Sequence, residues 1–316
     1  MINLGNIVLL SINAVVPIFA LILIGYVLKK MNLYQDVHLN AMNRLVFYLL
    51  LPVLLFYNIY TADLEHTFDW HLVLFGLAAI TTIFAVSILT ISRMVKENGK
   101  QGAIIQGIVR SNYILMALPL AEALAGSGGA ATASMLGAVL IPYMNVLSVI
   151  ILEKKRGRKI SVLKLIQKIF TNPLVLAAIL GILMKLLWIP LPTAVLTTLK
   201  NIKQSASPLA LIVLGGGLHF SSAKENIKPL LIAIIAKLVI VPAVGLSVAV
   251  ALGFRDRALV ALLCLFATPP ATSTYTLAQQ MDSDSEIAGQ FLTLATALYI
   301  LSIFIIVYIV LLLGLI

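Results

Sequence analysis

Ala267-Thr268-Pro269-Pro270-Ala271-Thr272-Ser273-Thr274-Tyr275 interrupts an apolar run at 258–280. Arg110-Ser111-Asn112-Tyr113-Ile114-Leu115-Met116-Ala117-Leu118-Pro119, followed by Leu120-Ala121-Glu122, interrupts another at 101–125. Proline removes a backbone donor and clashes with the turn before it, so two prolines amid threonines and serine unwind or kink their helix. Unwound backbone at membrane depth is tolerated only inside protein or beside a water-filled cavity. Half-helices starting near Pro119 and Pro270 would then aim free N–H groups and positive dipole ends at one point. An anion binds at such a point without a buried lysine. The candidate binding residues are therefore Asn112, Tyr113, Pro119, Thr268, Pro269, Pro270, Thr272 and Ser273. The Thr and Ser hydroxyls have a competing use, bonding carbonyls of their own helix. Pro119 alone reads equally well as an ordinary membrane-helix kink.

The surroundings make lipid the solvent. Of 316 residues, 61% are hydrophobic and 11% charged, with mean hydropathy +1.07; soluble domains run near 45–50% apolar and about 25% charged. A membrane helix needs about 20 apolar residues. Ten runs meet or approach this, near 6–28, 40–60, 71–92, 101–125, 130–152, 172–189, 204–220, 229–252, 258–280 and 287–314. The fold expected is an all-α integral membrane protein of ten transmembrane helices. Met1 to Gly5 carries no basic residue, so the first helix is expected to stay rather than be cleaved. Cys264 is the single cysteine, which rules out an intrachain disulfide. His38, His66, His71 and His219 are scattered and read as solvated positions rather than metal ligands.

The net charge of +10 is mostly topology. Loops after the first, third, fifth and seventh runs hold 15 of the 22 Lys and Arg residues, seven of them at Lys154–Lys168, while the other side holds Lys200, Lys203, Arg255 and Arg257. The richer side is cytoplasmic by the positive-inside rule. A multi-pass cell-membrane protein with both termini extracytoplasmic is expected, with lipid and not nucleic acid as its surroundings.

An offset of 156 residues carries Pro17, Gly25 and Lys29 onto Pro173, Gly181 and Lys185, Pro52 onto Pro208, Tyr143 onto Tyr299, and Asn112 onto Thr268. Each half holds five runs, an odd number, so the second half enters the membrane inverted, a construction used by secondary transporters. The expected division is 1–152 for the first repeat, 153–171 for a basic cytoplasmic connector and 172–316 for the second repeat. Ionisable residues within spans are costly and often functional. Arg110 reads either as an anion attractor facing the cytoplasmic vestibule or as an interfacial residue whose stem snorkels. Glu122 either neutralises a basic group or takes part in proton coupling. Asn145, beside Pro142 and Tyr143, is a further binding candidate, and Lys237 needs a partner or a wet cavity.

These residues resemble a bacterial member of the auxin efflux carrier family, which includes plant auxin exporters and bacterial permeases described as malonate or malate transporters. The resemblance runs through Pro17-Ile18-Phe19 to Gly25-Tyr26, Arg44-Leu45-Val46-Phe47-Tyr48 to Pro52, and Asn172-Pro173 with Gly181. It continues through Ser207-Pro208-Leu209-Ala210 to Gly215-Gly216-Gly217-Leu218, Arg110-Ser111-Asn112-Tyr113 to Leu118-Pro119-Leu120, and Pro269-Pro270-Ala271 to Tyr275-Thr276-Leu277-Ala278-Gln279-Gln280-Met281. It implies a five-plus-five inverted repeat with a scaffold and a mobile transport domain, usually a homodimer. It also implies an anionic substrate where helices 4 and 9 cross, near Asn112, Pro119 and Pro270. Where many bacterial relatives carry glycines, this chain has Ile114 and Ala117.

The function expected is secondary transport or uniport of a small organic anion, a mono- or dicarboxylate, by alternating access. No cofactor is expected; H+ and Na+ are the candidate coupling ions, with proton or potential coupling ranked above sodium. An intramembrane enzyme would need paired carboxylates, a metal cluster or a nucleophile with its base at membrane depth; Asp282 and Asp284 lie instead in an acidic loop. A receptor would bring a signalling domain. An anion channel remains the other alternative, separable by counterflow.

Overall fold

The computed structural model describes residues 4–61, 69–156, 171, 173–218 and 226–316. Residues 157–170 of the expected connector, and with them His66, Asn172 and His219, lie outside the described residues. The described chain is all-helical apart from loops and one isolated β-bridge. In chain order, α1 is Leu4–Lys30 and α2 joins Asp36–Leu45 to Leu51–Tyr60 through a π turn at Val46–Leu50. Next come α3, Trp70–Met94, and α4a, Asn98–Val109. A π turn at Tyr113–Ala117 leads into the helix Leu118–Lys155, which breaks at Ala125 and at Gly126, with φ 61°. The chain reverses there, since a Cβ on Gly129 would lie 2.6 Å from the Ala121 carbonyl oxygen. We call the arm before the break α4b and the arm after it α5. The rest are α6 (Pro173–Leu186), α7 (Thr193–Gly216), α8 (Ile227–Ile235 and Val241–Ala251 around a π turn at Ala236–Ile240), α9a (Asp256–Ala267), α9b (Ser273–Gln280) and α10 (Ser285–Leu312).

Six described stretches are long and apolar enough to cross a membrane: Ser11–Lys30, Val37–Tyr60, Trp70–Met94, Tyr113–Lys155, Ile227–Ala251 and Ser285–Leu312. Pro173–Leu186 is a shorter apolar helix.

The three π turns share one cause. Pro52, Pro119 and Pro242 each stand two residues beyond a π turn. A proline ring would strike the carbonyl four residues back. In each case the residue just before the proline donates its N–H five residues back: Leu51 to Val46, Leu118 to Tyr113, and Val241 to Ala236. The extra residue in the turn lets the helix continue past the proline rather than end there.

The helices pack in two groups. In one, α1 lies on α7, α2 on α6, and α7 on α2. A Cβ on Gly25 would stand 1.9 Å from the Ile212 carbonyl oxygen and one on Gly215 1.9 Å from that of Ile22, so only glycine admits this backbone approach. In the other group, α4a lies against α3, α10 and the Leu118–Lys155 helix; α9a packs on that same helix and on α8, and α9b on α10. Every residue of Gln101–Val109 and of Leu259–Ala267 is buried. The two interrupted helices are thus sheathed by their neighbours, which explains why their apolar residues run all round rather than in a stripe. Between the groups, Asn58 Nδ2 on α2 donates to Ser134 Oγ on α5 at 3.0 Å.

Candidate functional site

α4a ends at Val109 and helical structure resumes only at Tyr113, while α9a ends at Ala267 and α9b starts at Ser273. Arg110 (φ −84°, ψ 121°) and Thr268 (φ −75°, ψ 150°) are extended. The two gaps touch. Ser111 and Pro270 form an antiparallel bridge, and the Asn112 N–H donates to the Pro269 carbonyl at 2.8 Å. Proline has no N–H to return, so this crossing cannot grow into a sheet.

Broken helices leave orphan carbonyls, and side chains satisfy two of those at the end of α9a. Thr268 Oγ1 donates to the Cys264 carbonyl at 2.9 Å and Ser111 Oγ to that of Leu265; farther back in the helix, Tyr113 OH donates to the Ala261 carbonyl at 3.3 Å. Thr268 therefore takes the competing role, bonding its own helix. Tyr113 is buried against α9a with its ring edge facing Gly137, and serves packing there.

Two expectations need correction. The amide end that faces the gap belongs to the turn starting at Tyr113, not to a half-helix starting near Pro119. Asn112 caps that turn with its carbonyl, which accepts from the N–H of Met116 at 3.1 Å and of Ala117 at 3.3 Å. Pro119 stands on the far side of this turn, already within helix. Arg110 neither snorkels at an interface nor projects into a vestibule. It is 8% exposed, and its Nη2 donates to Ser273 Oγ at 2.5 Å, reaching the first turn of α9b. One turn earlier on α4a, Gln106 Nε2 donates to the Thr274 carbonyl at 3.1 Å. Three buried polar atoms around this junction have no hydrogen-bond partner among the described residues: Gln106 Oε1, Asn112 Nδ2 and Thr274 Oγ1.

Pro269 and Pro270 are buried in the crossing, Thr272 is half-buried just before α9b, and Ser273 is exposed apart from its bond to Arg110. Other candidates lie elsewhere. Glu122 is half-exposed and pairs with Lys203 Nζ on α7 at 3.0 Å, which makes it the neutraliser of a basic group. Asn145 is half-buried on α5 and makes no side-chain hydrogen bond among the described residues.

Sequence reasoning missed Gln106, Ser111 and Thr274 as site-forming residues, and left Lys237 without a partner. Lys237 lies in the π turn of α8, is 1% exposed, and donates from Nζ to Ser111 Oγ at 2.8 Å. A lysine in the middle of an apolar run was the available signal. Neither Arg110 nor Lys237 has a carboxylate within 4.0 Å among the described residues. The described residues also contain no cluster of His, Cys, Asp and Glu able to hold a metal. The result is a basic, donor-rich junction without a counter-charge among the described residues.

A family model described as "Membrane transport protein" matches residues 10–307. A protein described as an uncharacterized transporter, from Methanothermobacter thermautotrophicus, is 24% identical over 295 residues, covering 93% of this chain and 96% of that relative.

Proposed function

The chain belongs to the membrane transport protein family, that of the auxin efflux carriers, and from that premise we propose that it carries a small organic anion, a carboxylate, across the cell membrane by alternating access. The observation that carries this reading is the buried, unbalanced positive charge beside the touching gaps. Removing an ion from water costs several kcal/mol unless a counter-charge compensates. Among the described residues, Arg110 has only a neutral hydroxyl as its partner, and the buried Asn112 Nδ2 donor has no acceptor. A carboxylate entering between them would satisfy both at once. A cation would meet the same groups with repulsion.

The alternating-access part rests on an inverted repeat of two five-helix halves, 1–152 and 172–316, joined by the basic connector 153–171. Packing supports it. The 156-residue offset carries Gly25 onto Gly181 and Phe56 onto Ile212. The α1–α7 approach, Gly25 to the Ile212 carbonyl, is matched by an α6–α2 approach in which a Cβ on Gly181 would lie 3.2 Å from the Phe56 carbonyl. The group α1, α2, α6 and α7 would be the scaffold and the other six the moving part. Ten crossings, with both termini extracytoplasmic, fit the way the loops gather. Arg156 after α5 pairs with Asp282 before α10, and Ser283 Oγ donates to the Gly99 carbonyl at 2.9 Å. Tyr60 OH donates to the Ile189 carbonyl at 3.0 Å, joining two loops expected on the other side. A homodimer through the scaffold is part of the same reading.

The test is counterflow in proteoliposomes preloaded with malonate, malate, pyruvate, amino acids or indole acids. Accelerated exchange of at least one carboxylate is expected. Conductance without exchange would mean a channel, and no flux of any acid would remove the proposal.

A further inference from the structure

Among the described residues, Lys237 is the buried basic side chain that the anion site does not use directly, and its surroundings suggest a use. α9a ends inside the protein at Ala267, so its last carbonyls form a negative dipole end at the crossing. Transporters commonly place a coupling cation against such half-helix ends and unwound carbonyls. Here the Lys237 ammonium stands in that kind of place. It donates to Ser111 Oγ at 2.8 Å, and the same hydroxyl donates onward to the Leu265 carbonyl in the last turn of α9a. Ser111 is itself the residue bridged to Pro270. One ammonium therefore ties together α8, the extended segment of the fourth span and the end of α9a. The π turn forced by Pro242 is what widens α8 where Lys237 leaves it; such bulges recur at functional sites.

We propose that Lys237 is a resident cation, built into the chain at the crossing, which does the work a transported Na+ would do. It holds the two gaps together and balances the bound anion, so transport proceeds without sodium. The inference rests on the anion-carrier reading. It concerns a charge and an ion dependence which that reading leaves open.

The experiment measures counterflow of the carried acid in proteoliposomes, first with sodium salts on both sides and then with choline salts. The unaltered chain should work equally in both. Lys237→Gln keeps a hydrogen-bond donor and removes the charge; apparent affinity should fall roughly tenfold or more, as expected for a lost charge-assisted contact. Lys237→Arg should retain most of it. Lys237→Ala leaves room at the crossing, and adding ethylammonium or Na+ should raise its transport, a response that a purely structural lysine would not give. Sodium-dependent transport by the unaltered chain overturns the proposal, and that arm needs no variant to fold. Unaltered affinity in Lys237→Gln also overturns it. If the unaltered chain exchanges no acid in either medium, the carrier reading itself fails, and the two failures are thereby distinct.

Discussion

Asn112→Ala should move binding and stability in different directions. The Asn112 backbone makes the contacts that hold the crossing, through its N–H to Pro269 and its carbonyl to Met116 and Ala117, and alanine keeps all of these. The side chain is 3% exposed and its Nδ2 has no partner among the described residues. An unsatisfied buried donor costs about 1–3 kcal/mol, so truncation should leave the melting temperature of the ligand-free protein unchanged or raise it. A hydrogen bond from that donor to a carboxylate contributes about 1.5–3 kcal/mol, so apparent affinity should fall roughly 10- to 150-fold. The assay pairs thermal melting of detergent-purified protein, with and without the acid, with concentration-dependent counterflow. A lower melting temperature in the absence of ligand, with affinity unchanged, would refute the reasoning. It would make Asn112 a structural residue.

Other substitutions separate the roles assigned above. Arg110→Lys keeps the charge but loses the planar fork; weaker apparent affinity with measurable exchange is expected, whereas Arg110→Gln should abolish exchange in the same assay. Glu122→Gln removes half of an exposed pair of a kind worth about 0–1 kcal/mol; the pH profile of transport should not change, and a lost proton dependence would restore Glu122 as a coupling residue. Gly25→Ala drives a methyl into the Ile212 carbonyl and should cost about 1–3 kcal/mol or more; thermal melting in detergent would detect this as a lowered midpoint.

Much of the architecture was legible because lipid imposes simple rules. Apolar runs of the right length become helices, and the double proline at Pro269-Pro270 opens its helix as expected. The position of the other gap was not legible. Pro119 was the visible breaker, yet the helix absorbs it through a π turn and opens earlier, at Arg110-Ser111-Asn112, where side chains and the facing segment replace the lost backbone bonds. Contacts between distant residues were equally hidden. Lys237 to Ser111, Gln106 to Thr274 and Glu122 to Lys203 each join segments far apart in the chain, and only the packing of buried helices brings them together. Arg110 illustrates the point: hydropathy flags its charge, but its direction depends on where α9b begins.

Calorimetric titration of small carboxylates into the purified protein, beside the Arg110→Gln variant, addresses the cationic crossing most directly. The account predicts saturable binding of at least one carboxylate, no binding of the matching uncharged amide, and loss of binding in the variant. Carboxylate binding of equal strength in both proteins would contradict it.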